Sequence, residues 1–220
     1  MKTESELRWL IKDAGVQMLA ENLVQGTWGN ISVRIDEKHM LCTPSGLDYV
    51  DLTVDDMSVV DIDTLEWVGS KKPTSERKIH AAILRDRPEI NVVLHSHPSE
   101  CSVFASARKD LPITNPELKE LLGGDIRCAK YALPGNKGLC NALPGTKGLC
   151  KNTVEAMKGR KGCFLANHGV FACGESMELA FEAIRAMEKG CRDYIEAQTA
   201  KALGKSSYGV GDDVVLFLKK

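Results

Sequence analysis

The chain has no surplus of either charge. Its 29 lysines and arginines stand against 30 aspartates and glutamates, for a formal net charge of −1. A nucleic-acid partner is therefore not expected, because neutralising a phosphate backbone takes a basic surface. Long uncharged apolar runs are missing as well: no window reaches the roughly 20 residues needed to cross a bilayer, so no membrane span is expected. The opening residues, Met1 to Glu6, have no apolar signal core behind them and lead into an amphipathic pattern. Eight cysteines are present, yet no C-x-x-C pair occurs, which argues against a thiolate zinc knuckle or a thioredoxin-type motif. Cys42, Cys101, Cys128, Cys163, Cys173 and Cys191 mostly sit inside apolar runs, where a free thiol behaves as a small hydrophobe. These absences predict a reduced, cytoplasmic protein.

What is there reads as one α/β domain over residues 1–220, with a loose tail from about residue 204. Residues 4–24 carry apolar side chains at helical spacing. Strands are expected over 31–35, 39–43 and 57–62, with a return strand around Trp67-Val68. A helix from about Ser75 to Asp86 leads into a buried strand over 91–97, then a short helix over 99–107. Asn115-Pro116 opens another helix as cap and first residue, and Gly123-Gly124 stops it. A strand over 126–129, a helix over 152–157 and a hairpin over 162–174 follow, before a long amphipathic helix over 177–203. Residues 132–140 recur almost unchanged as 142–150, which reads as a local duplication in a surface loop. Only one copy would occupy the place of the original segment.

The stretch from Pro73 to Pro98 carries the chemistry. A hydroxyl-rich turn ends in Glu76, a helix follows, and the buried strand after it ends in His95-Ser96-His97. Side chains alternate along a strand, so His95 and His97 share a face and can reach one metal ion. Alone, such a pair fits two ordinary strand histidines equally well. A third histidine, His168, closes a second apolar strand. Three imidazoles leave a coordination position open, as catalytic rather than structural zinc sites do. His39, in a hairpin turn, and His80, within a helix, read as solvated or core-edge residues.

Five motifs in order are Gly29-Asn30-Ile31-Ser32, Thr43-Pro44-Ser45-Gly46, Pro73-Thr74-Ser75-Glu76, His95-Ser96-His97 and Asn167-His168-Gly169. Together they resemble the class II aldolase/adducin-head family, from roughly the first helix to the last. The resemblance implies a three-layer αβα fold with a central, mostly antiparallel sheet flanked by helices, and a cyclic homotetramer with its site between subunits. It implies a zinc-dependent aldehyde-lyase that splits a ketose 1-phosphate, of the L-fuculose 1-phosphate kind, into dihydroxyacetone phosphate and a small aldehyde. His95, His97 and His168 match the zinc ligands, where manganese, iron or cobalt could substitute. Glu76 matches the carboxylate that shuttles protons, and Asn30, Ser45, Gly46, Thr74 and Ser75 match the groups that hold the sugar phosphate. Zinc would stabilise the enediolate left when the carbon–carbon bond breaks. Thr74 and Ser75, at the expected helix start, would offer phosphate both hydroxyls and the positive end of a helix dipole.

Each of these residues also has a structural reading: Thr74 or Ser75 as helix cap, Gly29 and Gly46 as turn glycines, Glu76 as first-turn charge. Glu117 stands where fuculose-phosphate-cleaving members place a tyrosine from the neighbouring subunit. It resembles the catalytic glutamate of the methylthioribulose-1-phosphate dehydratases, the alternative activity on this scaffold. Tyr131 or Tyr208 could supply a tyrosyl acid. Epimerases of the family use aspartate where Glu76 stands, and a structural, adducin-head-like module would lack the histidines.

Overall fold

A computed structural model describes residues 2–131 and 147–204. Along the chain run α1 (Glu4–Ala20), β1 (Asn30–Arg34), β2 (His39–Cys42), β3 (Ser58–Asp61), β4 (Trp67–Val68) and α2 (Arg77–Asp86). They are followed by β5 (Val92–Ser96), α3 (Ser99–Ala107), α4 (Pro116–Leu122) and β6 (Cys128–Ala129). Finally come α5 (Lys147–Met157), β7 (Gly162–Leu165), β8 (Gly169–Gly174) and α6 (Met177–Ala202). The strands form one sheet in the order β4-β3-β2-β1-β5-β8-β7-β6. Every neighbouring pair is antiparallel except β6 with β7.

Alternation along the strands sorts side chains onto two cores. Ile31, Val33, Val92, Leu94, Val170 and Ala172 face α1, α3 and α6. Met40, Val93, Cys163 and Phe171 face α2 and α5. The result is the expected three-layer α/β arrangement. On α2, Ile79, Ile83 and Leu84 are buried, each contributing about 1.5–3 kcal/mol, and this seats the helix so that its N-terminal end lies beside β1 and β5. Cys42, Cys101, Cys163, Cys173 and Cys191 are buried free thiols, as their apolar settings predict. No described helix is long and apolar enough to cross a membrane.

Several boundaries differ from expectation. Helix α1 stops at Ala20 rather than near residue 24, because Asn22 turns left-handed (φ 56°). The Leu23 amide then donates to Met18 O at 2.9 Å and the Asn22 amide to Leu19 O at 3.0 Å, a Schellman closure that caps the helix. Helix α2 starts at Arg77, not Ser75: Thr74 Oγ1 accepts from the Glu76 amide at 3.2 Å, holding residues 74–76 in a turn ahead of the helix. Strand β7 ends at Leu165, so His168 lies in the turn to β8 and not on a strand. Helix α5 begins at Lys147, so the end of the second repeat copy opens it. Residues 132–146 and the tail from 205, with Tyr208, lie outside the described residues.

Candidate active site and metal centre

Strand register builds the first half of the site. Asn30 on β1 pairs directly with His95 on β5, and His95 in turn pairs with Phe171 on β8. All three side chains face α2. Phe171 stacks on the His95 ring at 4.7 Å between centroids. The His95 ring is 1% exposed, and its Nδ1 lies 2.9 Å from Val170 O. A carbonyl only accepts, so Nδ1 carries the proton and Nε2 is left with its lone pair. That backbone partner is what fixes the tautomer of a metal-ligating imidazole.

Loops supply the other half. Pro44 bridges Pro73, the Ser45 amide donates to Lys72 O at 3.0 Å, and the Thr74 amide to Thr43 O at 2.9 Å. The two hydroxyl-bearing segments are thereby tied to each other. Asn167, left-handed at φ 60°, turns the chain between β7 and β8 and delivers His168. Gly169 follows because nothing larger fits: a Cβ there would meet His97 Cδ2 at 2.6 Å and Ser96 O at 2.7 Å. Gly29 is likewise confined, with φ +90° and a Cβ position 2.7 Å from His95 O.

The three histidines converge. One ligand atom from each of His95, His97 and His168 lies within 4.8 Å of the others. Glu76, 6% exposed, sits beside them with Oε2 3.0 Å from His95 Nε2 and Oε1 3.6 Å from His168 Nε2. Burial, reinforced by the neighbouring His168 and His97, holds His95 well below the ordinary imidazole range. Burial and then His168 lower His97 too, with Glu76 opposing. His95 is neutral, so its contact with Glu76 is no ion pair. It sets a lone pair against a carboxylate oxygen. Glu76 Oε1, His95 Nε2 and His97 Nδ1 are buried without a hydrogen-bond partner, against the rule for buried polar atoms. Imidazole nitrogens converging beside a carboxylate oxygen fit a divalent cation.

A cavity of about 390 Å³ opens over this group, a size suited to a small ligand. His95, His97, His168 and Glu76 line it, together with all five residues expected to hold phosphate: Asn30, Ser45, Gly46, Thr74 and Ser75. Trp28 stands at its rim, 61% exposed and edge-on to His97 at 5.8 Å. Thr74 is not the helix cap, since Glu76 holds that position without a side-chain cap bond and Thr74 Oγ1 closes the turn before it. Nor does Glu76 act as a dipole charge, because its side chain turns inward and accepts from Asn30 Nδ2 at 2.8 Å.

A family model for the class II aldolase and adducin N-terminal domain matches residues 10–195. The chain belongs to the class II aldolase family. It is 35% identical over 188 residues to the 5-methylthioribulose-1-phosphate/5-deoxyribulose-1-phosphate aldolase of Rhodospirillum rubrum, covering 86% of this chain and 80% of the relative. It is 33% identical over 170 residues to the L-fuculose phosphate aldolase of Escherichia coli, covering 77% and 74%. A solved L-fuculose 1-phosphate aldolase superposes with TM-score 0.80 at 29% identity, covering 98% of this chain and 95% of that one. Class II aldolases are metal-dependent lyases, and this member carries a histidine cluster able to hold the ion.

Glu117 is not part of the same cavity lining. It is exposed on the first turn of α4, behind the cap that Asn115 makes to the Leu118 amide at 3.1 Å. Tyr131 is 45% exposed beneath the Arg108 guanidinium. His39 is half-buried as the first residue of β2, not a residue of the hairpin turn, and pairs with Asp36 at 2.9 Å. His80 is not a core-edge residue. It is completely buried against Phe171, within hydrogen-bonding distance of Ser32 and Asn30, and burial pushes it down to about 3. Its place four residues after Glu76, one helical turn on, is the signal the sequence carries.

Proposed function

We propose that this class II aldolase reversibly cleaves a ketose 1-phosphate to dihydroxyacetone phosphate and a small aldehyde, with zinc held by His95, His97 and His168. The observation that carries the reading is the convergence of three imidazole nitrogens beside Glu76, in the cavity that the hydroxyl-bearing loops also line. Bound there, a divalent ion supplies Lewis-acid stabilisation of the negative charge that develops on substrate oxygen. Glu76 moves the proton, since its carboxylate reaches the cluster and is shielded from bulk water. Asn30, Ser45, Gly46, Thr74 and Ser75 receive the phosphate through hydroxyl, amide and backbone N–H groups. Ketose 1-phosphates with an apolar far end, as in 5-deoxyribulose 1-phosphate, are the leading substrate class. The Rhodospirillum relative is named for such substrates, and the exposed Trp28 ring offers an apolar surface at the rim. Glu117 acts as the second acid–base group from a neighbouring copy, in a cytoplasmic homotetramer of single-domain chains.

Purified protein is assayed for bound metal and for dihydroxyacetone phosphate released from 5-deoxyribulose 1-phosphate and from L-fuculose 1-phosphate. Close to one zinc per chain and release from at least one substrate are expected. Zinc-loaded protein that releases none refutes the aldolase. Loss of water from methylthioribulose 1-phosphate, abolished by Glu117→Gln but not by Glu76→Gln, would establish the dehydratase instead.

A further inference from the structure

Four buried polar side chains form a single file between β1 and α2. Ser32 Oγ lies 2.7 Å from His80 Nδ1, His80 Nε2 lies 2.5 Å from Asn30 Oδ1, and Asn30 Nδ2 lies 2.8 Å from Glu76 Oε2. Ser32 and His80 are wholly buried, and Asn30 and Glu76 are each 6% exposed. Strand alternation puts Asn30 and Ser32 on one face of β1. The opening turn of α2, in which the His80 amide donates to Glu76 O at 3.3 Å, puts the cap residue Glu76 and His80 on one side. The two elements are clasped by this file, and Phe171 fixes the rings by stacking on His95 and meeting His80 edge-on at 5.2 Å.

The direction of every hydrogen bond follows from the last one. A carboxylate accepts only, so Asn30 must present its NH2 to Glu76 and its carbonyl to His80. His80 must then donate from Nε2, which leaves Nδ1 to accept from the Ser32 hydroxyl. We propose that His80 is a positioning residue: it orients the Asn30 carboxamide, and through it holds the Glu76 carboxylate against the three-histidine cluster. Without the ring, the Asn30 amide is free to rotate and present its oxygen to Glu76, which would push the carboxylate off the cluster. Few buried polar chains tolerate such a reversal, since each member's direction depends on the next. The inference rests on the reading of Glu76 as the proton carrier.

Two measurements test it. Long-range nitrogen–proton NMR across the imidazoles of the wild-type protein reads the tautomer directly, with or without metal, and His80 is expected as the Nε2–H form. An Nδ1–H form overturns the proposal. Kinetically, His80→Leu fills the space without donor or acceptor, whereas His80→Gln offers both. His80→Leu is expected to lose at least about tenfold in kcat with little change in KM, and His80→Gln to recover most of it, as removal of a transition-state interaction predicts. Thermal melts and zinc content identify a variant that has failed to fold. Equal losses in two folded, zinc-loaded variants, or a change confined to KM, overturn the positioning role. If the wild type cleaves no ketose phosphate, the aldolase reading fails, while the tautomer measured on the same sample still decides whether His80 orients Asn30.

Discussion

Replacing Glu76 by Gln should make the metal-free protein more stable and the enzyme far slower. Glu76 is buried and receives one hydrogen bond, from Asn30, while Oε1 has no partner and Oε2 faces the lone pair of His95 at 3.0 Å. A buried acceptor left unsatisfied costs about 1–3 kcal/mol, and more where it is charged. Glutamine keeps the oxygen that accepts from Asn30, replaces the unpartnered oxygen by an NH2 directed toward His168, and removes the charge. The gain appears as a rise in melting temperature of roughly 2–4 °C per kcal/mol for a chain of this length. Loss of the proton carrier should lower kcat by about 10²–10⁴-fold. The assay is a thermal melt of chelator-treated wild type and variant, beside turnover of the zinc-loaded forms. A metal-free variant that melts at or below the wild type would refute the claim that the buried Glu76 carboxylate is under-bonded at Oε1.

Acid should weaken the metal-free fold earlier than carboxylate titration requires. The folded-state values of His80, His95 and His97 lie below the ordinary 6.5, so the unfolded chain binds more protons as pH falls beneath that value. Stability is thus present above about pH 6.5 and lost below it, at about 1.4 kcal/mol per pH unit for each fully titrating histidine. Urea midpoints measured between about pH 7 and 5 should fall accordingly, and a flat profile would contradict the burial of these rings. Gly169→Ala places a methyl 2.6 Å from the His97 ring and 2.7 Å from Ser96 O, so β8 must draw away from β5. A loss of about 1–3 kcal/mol in stability is expected, with weaker zinc binding, read by denaturation and metal titration. Unchanged zinc affinity would mean that the turn carrying His168 does not depend on that close approach.

Much of this site was readable along the chain because strand and helix periods are local properties. Alternation pointed His95 and His97 the same way, although β5 ends at Ser96 and His97 lies just past it. The Asn115-Pro116 start and Gly123 stop of α4 came out where expected, since cap chemistry depends on adjacent residues. The apolar strand before it drew attention to His168, and the motif order joined it to Glu76, though nothing local could say that they meet. The tertiary structure decided what lies opposite what. Sheet register set Asn30 against His95, and packing of α2 on β1 turned Glu76 inward rather than out toward solvent as a dipole charge. The same packing enclosed His80, which in sequence is a polar residue on an ordinary amphipathic helix. Periodicity reports which face a side chain occupies. Whether that face meets water, a hydrophobic neighbour or another polar group is settled only when distant segments pack, because burial and hydrogen-bond partners belong to pairs of elements.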